Sequence, residues 1–180
     1  MLGRSLWLPT WLKPRVRDVA LLVPTAILFS GIALATYELI GPLLLSNDAV
    51  VELLRQQGYN KHIFWPLSFY AIVVNPVVEE IYWRGVVLNE LEHLAHTRRF
   101  ALLWSSFAYA LFHYPIFKLV LFPGWAELGT FMLAIYGAFL AIIYKTTGSI
   151  ITTAVAHGLL TDTAVIVLIL DLFHRYPGTL

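Results

Sequence analysis

The chain has 180 residues, 59% of them hydrophobic and only 13% charged, with a formal net charge of +1 and no cysteine. A globular domain carries about 25% charged residues, and a soluble core of this size cannot hide so much apolar surface. The composition excludes a soluble domain, a disordered chain, a disulfide scaffold or thiolate chemistry and a basic nucleic-acid-binding surface, leaving an integral membrane protein of a few spans.

A membrane helix needs about 20 mostly apolar residues. The first such run, 19–45, follows a basic stretch of Arg4, Lys13, Arg15 and Arg17. Ala33-Leu34-Ala35 resembles a signal cleavage site, but apolar character resumes from Leu39 to Leu45, so the span is read as retained. Residues 46–62 are polar with a weak apolar face at Val50, Val51, Leu53 and Leu54, which predicts a loop or a short interfacial helix. The second run starts at Ile63 and continues as a long helical pattern to near His96. The third covers 100–122 and is broken by Pro123-Gly124. The fourth covers 128–144, followed by a turn over Lys145–Gly148, and the fifth 149–172. No repeat or linker divides the chain. The expected architecture is an all-α polytopic bundle of about five spans in a single membrane domain, with a four-helix core at 63–172 and an N-terminal span and loop at 1–62.

Lys and Arg excess marks the cytoplasmic side. With the N-terminus inside, the inner side holds Arg4, Lys13, Arg15, Arg17, Arg98, Arg99 and Lys145. The outer side holds Arg55, Lys61, Lys118 and Arg175. The balance favours a cytoplasmic N-terminus. Trp7 and Trp11 then flank the inner interface and Trp65 and Trp125 the outer one.

Ionisable residues inside spans are costly and point to function. Glu38, Glu79, Glu80, Arg84, His113 and His157 stand in apolar surroundings, with Asp162 shortly after His157. In NPVVEEIYWRG, 75–85, Glu80 and Arg84 are four residues apart and can pair on one helix face. Glu79 points about 100° away, partly desolvated and beside a like charge, a setting suited to a general base. By helical rise, His157 lies roughly 12 Å deep, His113 roughly 20 Å deep, and the glutamate pair roughly 24 Å along its own helix from the inner end. The three elements can therefore meet.

Two carboxylates and two histidines could activate water for hydrolysis, bind a metal such as zinc or relay protons in a transporter. The zinc-protease helix H-E-x-x-H is absent, as is the G-x-S-x-G elbow. Ser105 and Ser106 read as small residues for close helix packing. Glu90, Glu92, His93 and His96 read as a solvated helix end, Glu38 as a residue that pairs locally or faces an outer vestibule, and Arg98-Arg99 as a lipid contact and orientation signal.

Three motifs in order carry a family resemblance: Glu79-Glu80-Ile81-Tyr82-Trp83-Arg84 for E-E-x-x-x-R, Tyr109-Ala110-Leu111-Phe112-His113 for F-x-x-x-H, and His157-Gly158-Leu159-Leu160-Thr161 for H-x-x-x-N or Asp. The chain resembles the CPBP intramembrane proteases, also called the CAAX-protease or Abi family, over roughly 63–172. Tyr109 stands where the pattern has phenylalanine, and Thr161 where it has asparagine or aspartate. Asp162, the next residue, is offset by about 100° on a regular helix.

The resemblance implies a glutamate-type intramembrane endopeptidase. Glu79 would activate water, His113 hold it, His157 stabilise the oxyanion, and Arg84 act through Glu80. Thr161 and Asp162 would support the last position; a hydroxyl there offers one donor where an amide offers two. The implied partners are the lipid bilayer and a membrane protein substrate, with proteins carrying a C-terminal membrane tail as one class, and no nucleic acid. The short chain resembles compact prokaryotic members, which implies an inner-membrane location. No cofactor is expected. A metal at Glu79, His113 and His157 is the nearest mechanistic rival. A non-enzymatic immunity or assembly factor of the same fold is the rival from another class.

Overall fold

The computed structural model describes residues 16–94 and 97–176. Trp7, Trp11, Arg4, Lys13, Arg15 and His96 lie outside them. The first helix, α1, spans Val16–Leu44 and carries Pro24 and Pro42 without ending. The polar segment after it forms a short helix, α2, Asn47–Gln56, started by the Ser46 hydroxyl, which accepts from the Ala49 N–H. Its Arg55 hydrogen-bonds Glu52 and holds that carboxyl down at about 2.

Residues 64–94 form one unbroken helix, α3, whose bonding alternates. Phe64–Phe69, Asn75–Glu80 and Asn89–Leu94 are α-helical, whereas Tyr70–Val74 and Ile81–Leu88 are π-helical. Pro76 has a direct part in this: it has no N–H to give the Ile72 carbonyl four residues back, and its ring crowds that carbonyl. The first π-helical stretch lies just before it and is closed by the Asn75 N–H bonding Tyr70 O.

Helix α4, Arg98–Val120, begins at Thr97, whose hydroxyl accepts from the Phe100 N–H. Helix α5 spans Trp125–Thr147, so the turn expected over Lys145–Gly148 is still helical up to Thr147; the chain reverses only at Gly148, with φ 65°. The last helix, α6, runs over Ile150–Arg175. It holds a third π-helical stretch, Gly158–Asp162, directly after His157. Apart from one isolated bridge between Leu45 and Leu121, the described residues show no strand pairing.

Among the described residues, four helices are long and apolar enough to cross a membrane: Leu22–Leu44, Arg98–Val120, Trp125–Thr147 and Ile150–Arg175. The remaining expected span is α3, which is long enough but is made less apolar by Asn75, Glu79, Glu80 and Arg84 along its length. Large apolar side chains such as Ile27, Leu39, Leu103, Phe112 and Leu119 face outward, as lipid-facing surfaces require.

Contacts between helix ends fix which ends share a side. Ser46 N–H donates to Val120 O and Phe122 N–H to Leu44 O, so α1 and α4 finish together. Arg175, at the end of α6, pairs with Glu38 late in α1. Lys145, at the end of α5, donates to Glu92 and Asn89 near the end of α3. The alternation expected of five antiparallel spans follows. Three apolar clusters hold the bundle. Val51, Leu54 and Phe64 meet Ile166, Ile169 and Leu172. Ala26 and Leu140 meet Ala156 and Leu160. Leu88, Ala101 and Ala141 fill the third.

At Gly158, the residue after His157, α6 lies close against α3. A Cβ on Gly158 would fall 2.1 Å from Ile72 O, the carbonyl that Pro76 cannot bond. Only glycine lets α6 and α3 come this near.

Candidate active site

The expected Glu80–Arg84 pair is present and wholly buried. Arg84 Nη1 donates to Glu80 Oε1 at 2.9 Å, and the side chains are 3% and 0% exposed. The same oxygen accepts from His157 Nδ1 at 2.9 Å. Arg84 Nη2 donates to Gly137 O at 2.9 Å, and its guanidinium lies over the Tyr109 ring, 4.9 Å from the centroid. A buried charge survives only when paired and hydrogen-bonded. Here one carboxylate oxygen, one guanidinium and one imidazole bond each other and lock α3 to α5 and α6, while Glu80 Oε2 takes no protein donor.

Glu79 faces a different neighbourhood. Its Oε1 accepts from Asn75 Nδ2 at 2.9 Å. Its Oε2 lies 4.0 Å from His113 Nε2 and 3.9 Å from His157 Nε2. No protein group hydrogen-bonds this oxygen. Both separations exceed a direct hydrogen bond and suit bridging by one water. Exposure is graded across the centre: the His113 side chain is 24% exposed and Glu79 16%, against 3% for His157. The site opens on the His113 side.

The hydrogen bonds also assign the imidazoles. A carbonyl or an ionised carboxylate only accepts. His113 Nδ1 lies 2.9 Å from Tyr109 O, so it carries the hydrogen, and in the neutral ring Nε2 offers a lone pair toward Glu79. His157 Nδ1 likewise donates to Glu80. Its Nε2 faces Tyr109 Oη at 3.4 Å, Asp162 Oδ1 at 3.7 Å and Glu79 Oε2 at 3.9 Å.

The last motif differs from a regular helix. Thr161 Oγ1 donates back to His157 O at 2.9 Å and lies 3.3 Å from the Tyr136 hydroxyl. Asp162 is the residue that reaches the histidine ring. Five residues on an α-helix leave the two side chains about 140° apart, but the π-helical stretch Gly158–Asp162 closes over five residues and brings Asp162 round. The offset expected for Asp162 is thereby corrected.

Asn75 was missed in the sequence, although it stands four residues before Glu79 as Glu80 stands before Arg84. The same helical rule reaches both pairs. Other ionisable residues lie outside this centre, and two of them pair across helices rather than locally or with solvent. Glu38 pairs with Arg175, and Glu92 with Lys145. Ser105 and Ser106 are buried and both back-bond to Leu102 O. Among the described residues, no three His, Asp or Glu side chains are grouped as a metal cluster.

The bundle thus gathers carboxylates and histidines from three helices around a buried ion pair, the arrangement of a multi-pass membrane protein with a polar centre. A family model, type II CAAX prenyl endopeptidase Rce1-like, matches residues 61–161, and the chain belongs to that family. It is an integral multi-pass membrane protein of a protease family whose substrates are membrane-associated proteins. No curated protein and no solved structure matches the chain.

Proposed function

We propose that the chain is a glutamate-type endopeptidase that hydrolyses a peptide bond of a membrane-associated protein with water activated by Glu79. The observation that carries this reading is Glu79 Oε2, free of protein donors and about equally far from His113 Nε2 and His157 Nε2. A water between Glu79 and His113 is oriented by two acceptors, a carboxylate oxygen and an imidazole lone pair. As its oxygen bonds to the scissile carbonyl carbon, Glu79 takes one of its protons. The carbonyl π pair moves onto oxygen and gives an oxyanion on the His157 side. When that oxyanion collapses, C=O re-forms, the C–N bond breaks, and Glu79 returns its proton to the leaving nitrogen.

His157 Nε2 serves the oxyanion as a donor. With Nδ1–H committed to Glu80, this requires the doubly protonated ring, whose charge Glu80, Glu79 and Asp162 surround. Such oriented donors act most strongly where water is excluded, and His157 is almost fully buried. Glu80 and Arg84 position the ring without touching the reacting atoms. The Asp162 carboxylate, 3.7 Å from Nε2, favours the charged ring, and Thr161 braces the turn through His157 O. No metal takes part in this scheme, so cleavage by the purified protein is expected to persist in chelator. The Lys and Arg excess supports a cytoplasmic side for the N-terminus and for the shared end of α3 and α5.

The test is proteomics of protein termini in membranes from cells carrying wild type or Glu79→Gln. New N-termini present with wild type and absent with Glu79→Gln are expected. Identical termini in the two membranes would reject the protease reading in favour of a non-enzymatic role for the same fold.

A further inference from the structure

We propose that the Tyr109 hydroxyl is a second oxyanion donor and therefore a catalytic group, an assignment that rests on the Glu79 mechanism above. Tyr109 is 2% exposed, and its ring is held on several sides. Trp83 meets it edge-on at 5.7 Å, the Arg84 guanidinium covers one face at 4.9 Å, and the His113 ring packs at 4.8 Å. This clamping fixes the phenol oxygen beside the reacting centre. Tyrosine buried so deeply normally gives its O–H to a good acceptor. Here the nearest is His157 Nε2 at 3.4 Å, well beyond the usual O–H hydrogen-bond length of about 2.8 Å.

The protonation demanded by catalysis frees this hydroxyl entirely. If Nε2 carries a hydrogen to donate to the oxyanion, it cannot accept one from Tyr109. The phenol hydrogen then turns to the same side as the Nε2 hydrogen. Two donors 3.4 Å apart can both lie about 2.9 Å from one oxygen, the distance an oxyanion site requires. Two other hydroxyls lie nearby: Thr161 gives its hydrogen to the main-chain oxygen of His157 at 2.9 Å, and the Tyr136 hydroxyl lies against Thr161 Oγ1 at 3.3 Å, whereas Tyr109 places its own against His157 Nε2. Asp162 and Glu79, as carboxylates, present acceptors that repel an oxyanion. Of the groups facing His157 Nε2, Tyr109 alone adds a neutral donor.

The experiment uses the full chain purified in detergent. Its substrate is an internally quenched peptide built on a cleavage site whose new terminus depends on Glu79. Tyr109→Phe keeps the ring against Trp83 and Arg84 and removes only the hydroxyl. Losing one oxyanion donor lowers kcat by about 10²–10³-fold, so a fall of that order is expected, with KM within about twofold and an unchanged thermal midpoint. A kcat within about twofold of wild type overturns the assignment, as does a rate loss that merely follows a lowered midpoint. If Glu79→Gln abolishes cleavage while Tyr109→Phe cleaves normally, this assignment falls alone. If cleavage does not depend on Glu79, the mechanism beneath it falls too.

Discussion

Two ion-pair networks tie distant parts of the chain together, and they differ in burial. At the centre, Glu80, Arg84 and His157 join α3 to α6 with side chains 0 to 3% exposed. At one end of the bundle, Glu38, Arg175 and Asp171 join α1 to α6, with Glu38 47% and Arg175 43% exposed. Both link residues far apart in sequence. In the first, every charge depends on its partners, because removing one leaves an uncompensated charge in a low-dielectric interior. In the second, water or lipid headgroups can replace a lost partner, and the pair contributes little. The lesson is that the central network holds the geometry of the site, whereas the peripheral one is a tether.

Arg84→Ala gives the sharpest break. It removes the partner of Glu80, the bond to Gly137 O and the cation over Tyr109 together. A loss of about 3–5 kcal/mol is expected for a broken buried pair. Thermal unfolding in detergent would show it, with cleavage lost as well. An Arg84→Ala protein as stable as wild type would erase the distinction between the two networks.

Gly158→Ala tests the packing that delivers His157 to Glu80. The added methyl meets Ile72 O, a backbone atom that cannot turn aside. Overpacking of this kind costs about 1–3 kcal/mol, and the shift of α6 is expected to lower kcat more than it lowers the thermal midpoint. Wild-type turnover in Gly158→Ala would mean that the histidine is not positioned by this contact.

The smallest effect is expected from Glu38→Gln. Its thermal midpoint and cleavage rate should match wild type within error, because the pair with Arg175 is half exposed and Arg175 retains Asp171 at 2.6 Å. A loss comparable to that of Arg84→Ala would show that the tether carries as much as the core.

Much of this is legible before any coordinates are considered. The Glu80–Arg84 pair follows from four-residue spacing on a helix, and Asn75–Glu79 obeys the same rule. The apolar runs mark the spans to within a few residues, apart from the end of α5, where Lys145 and two threonines suggest a turn but remain helical. The π-helical stretches leave no such mark, although Pro76 hints at the first. A regular helix therefore misplaces Asp162. Thr161, which the motif spacing marks, gives its hydroxyl to the backbone of His157.

The sequence by itself determined the membrane class, the order of the motifs and the pairs that lie within one helix turn, because these depend on composition and a fixed local period. Only the tertiary structure decided that His157 bonds Glu80 across 77 residues, that Asp162 turns toward the imidazole, and that the Tyr109 hydroxyl faces the same nitrogen. Those contacts depend on how closely α3 and α6 approach at Gly158 and on where the helical hydrogen bonds change register. Neither quantity has a period that can be read along the chain.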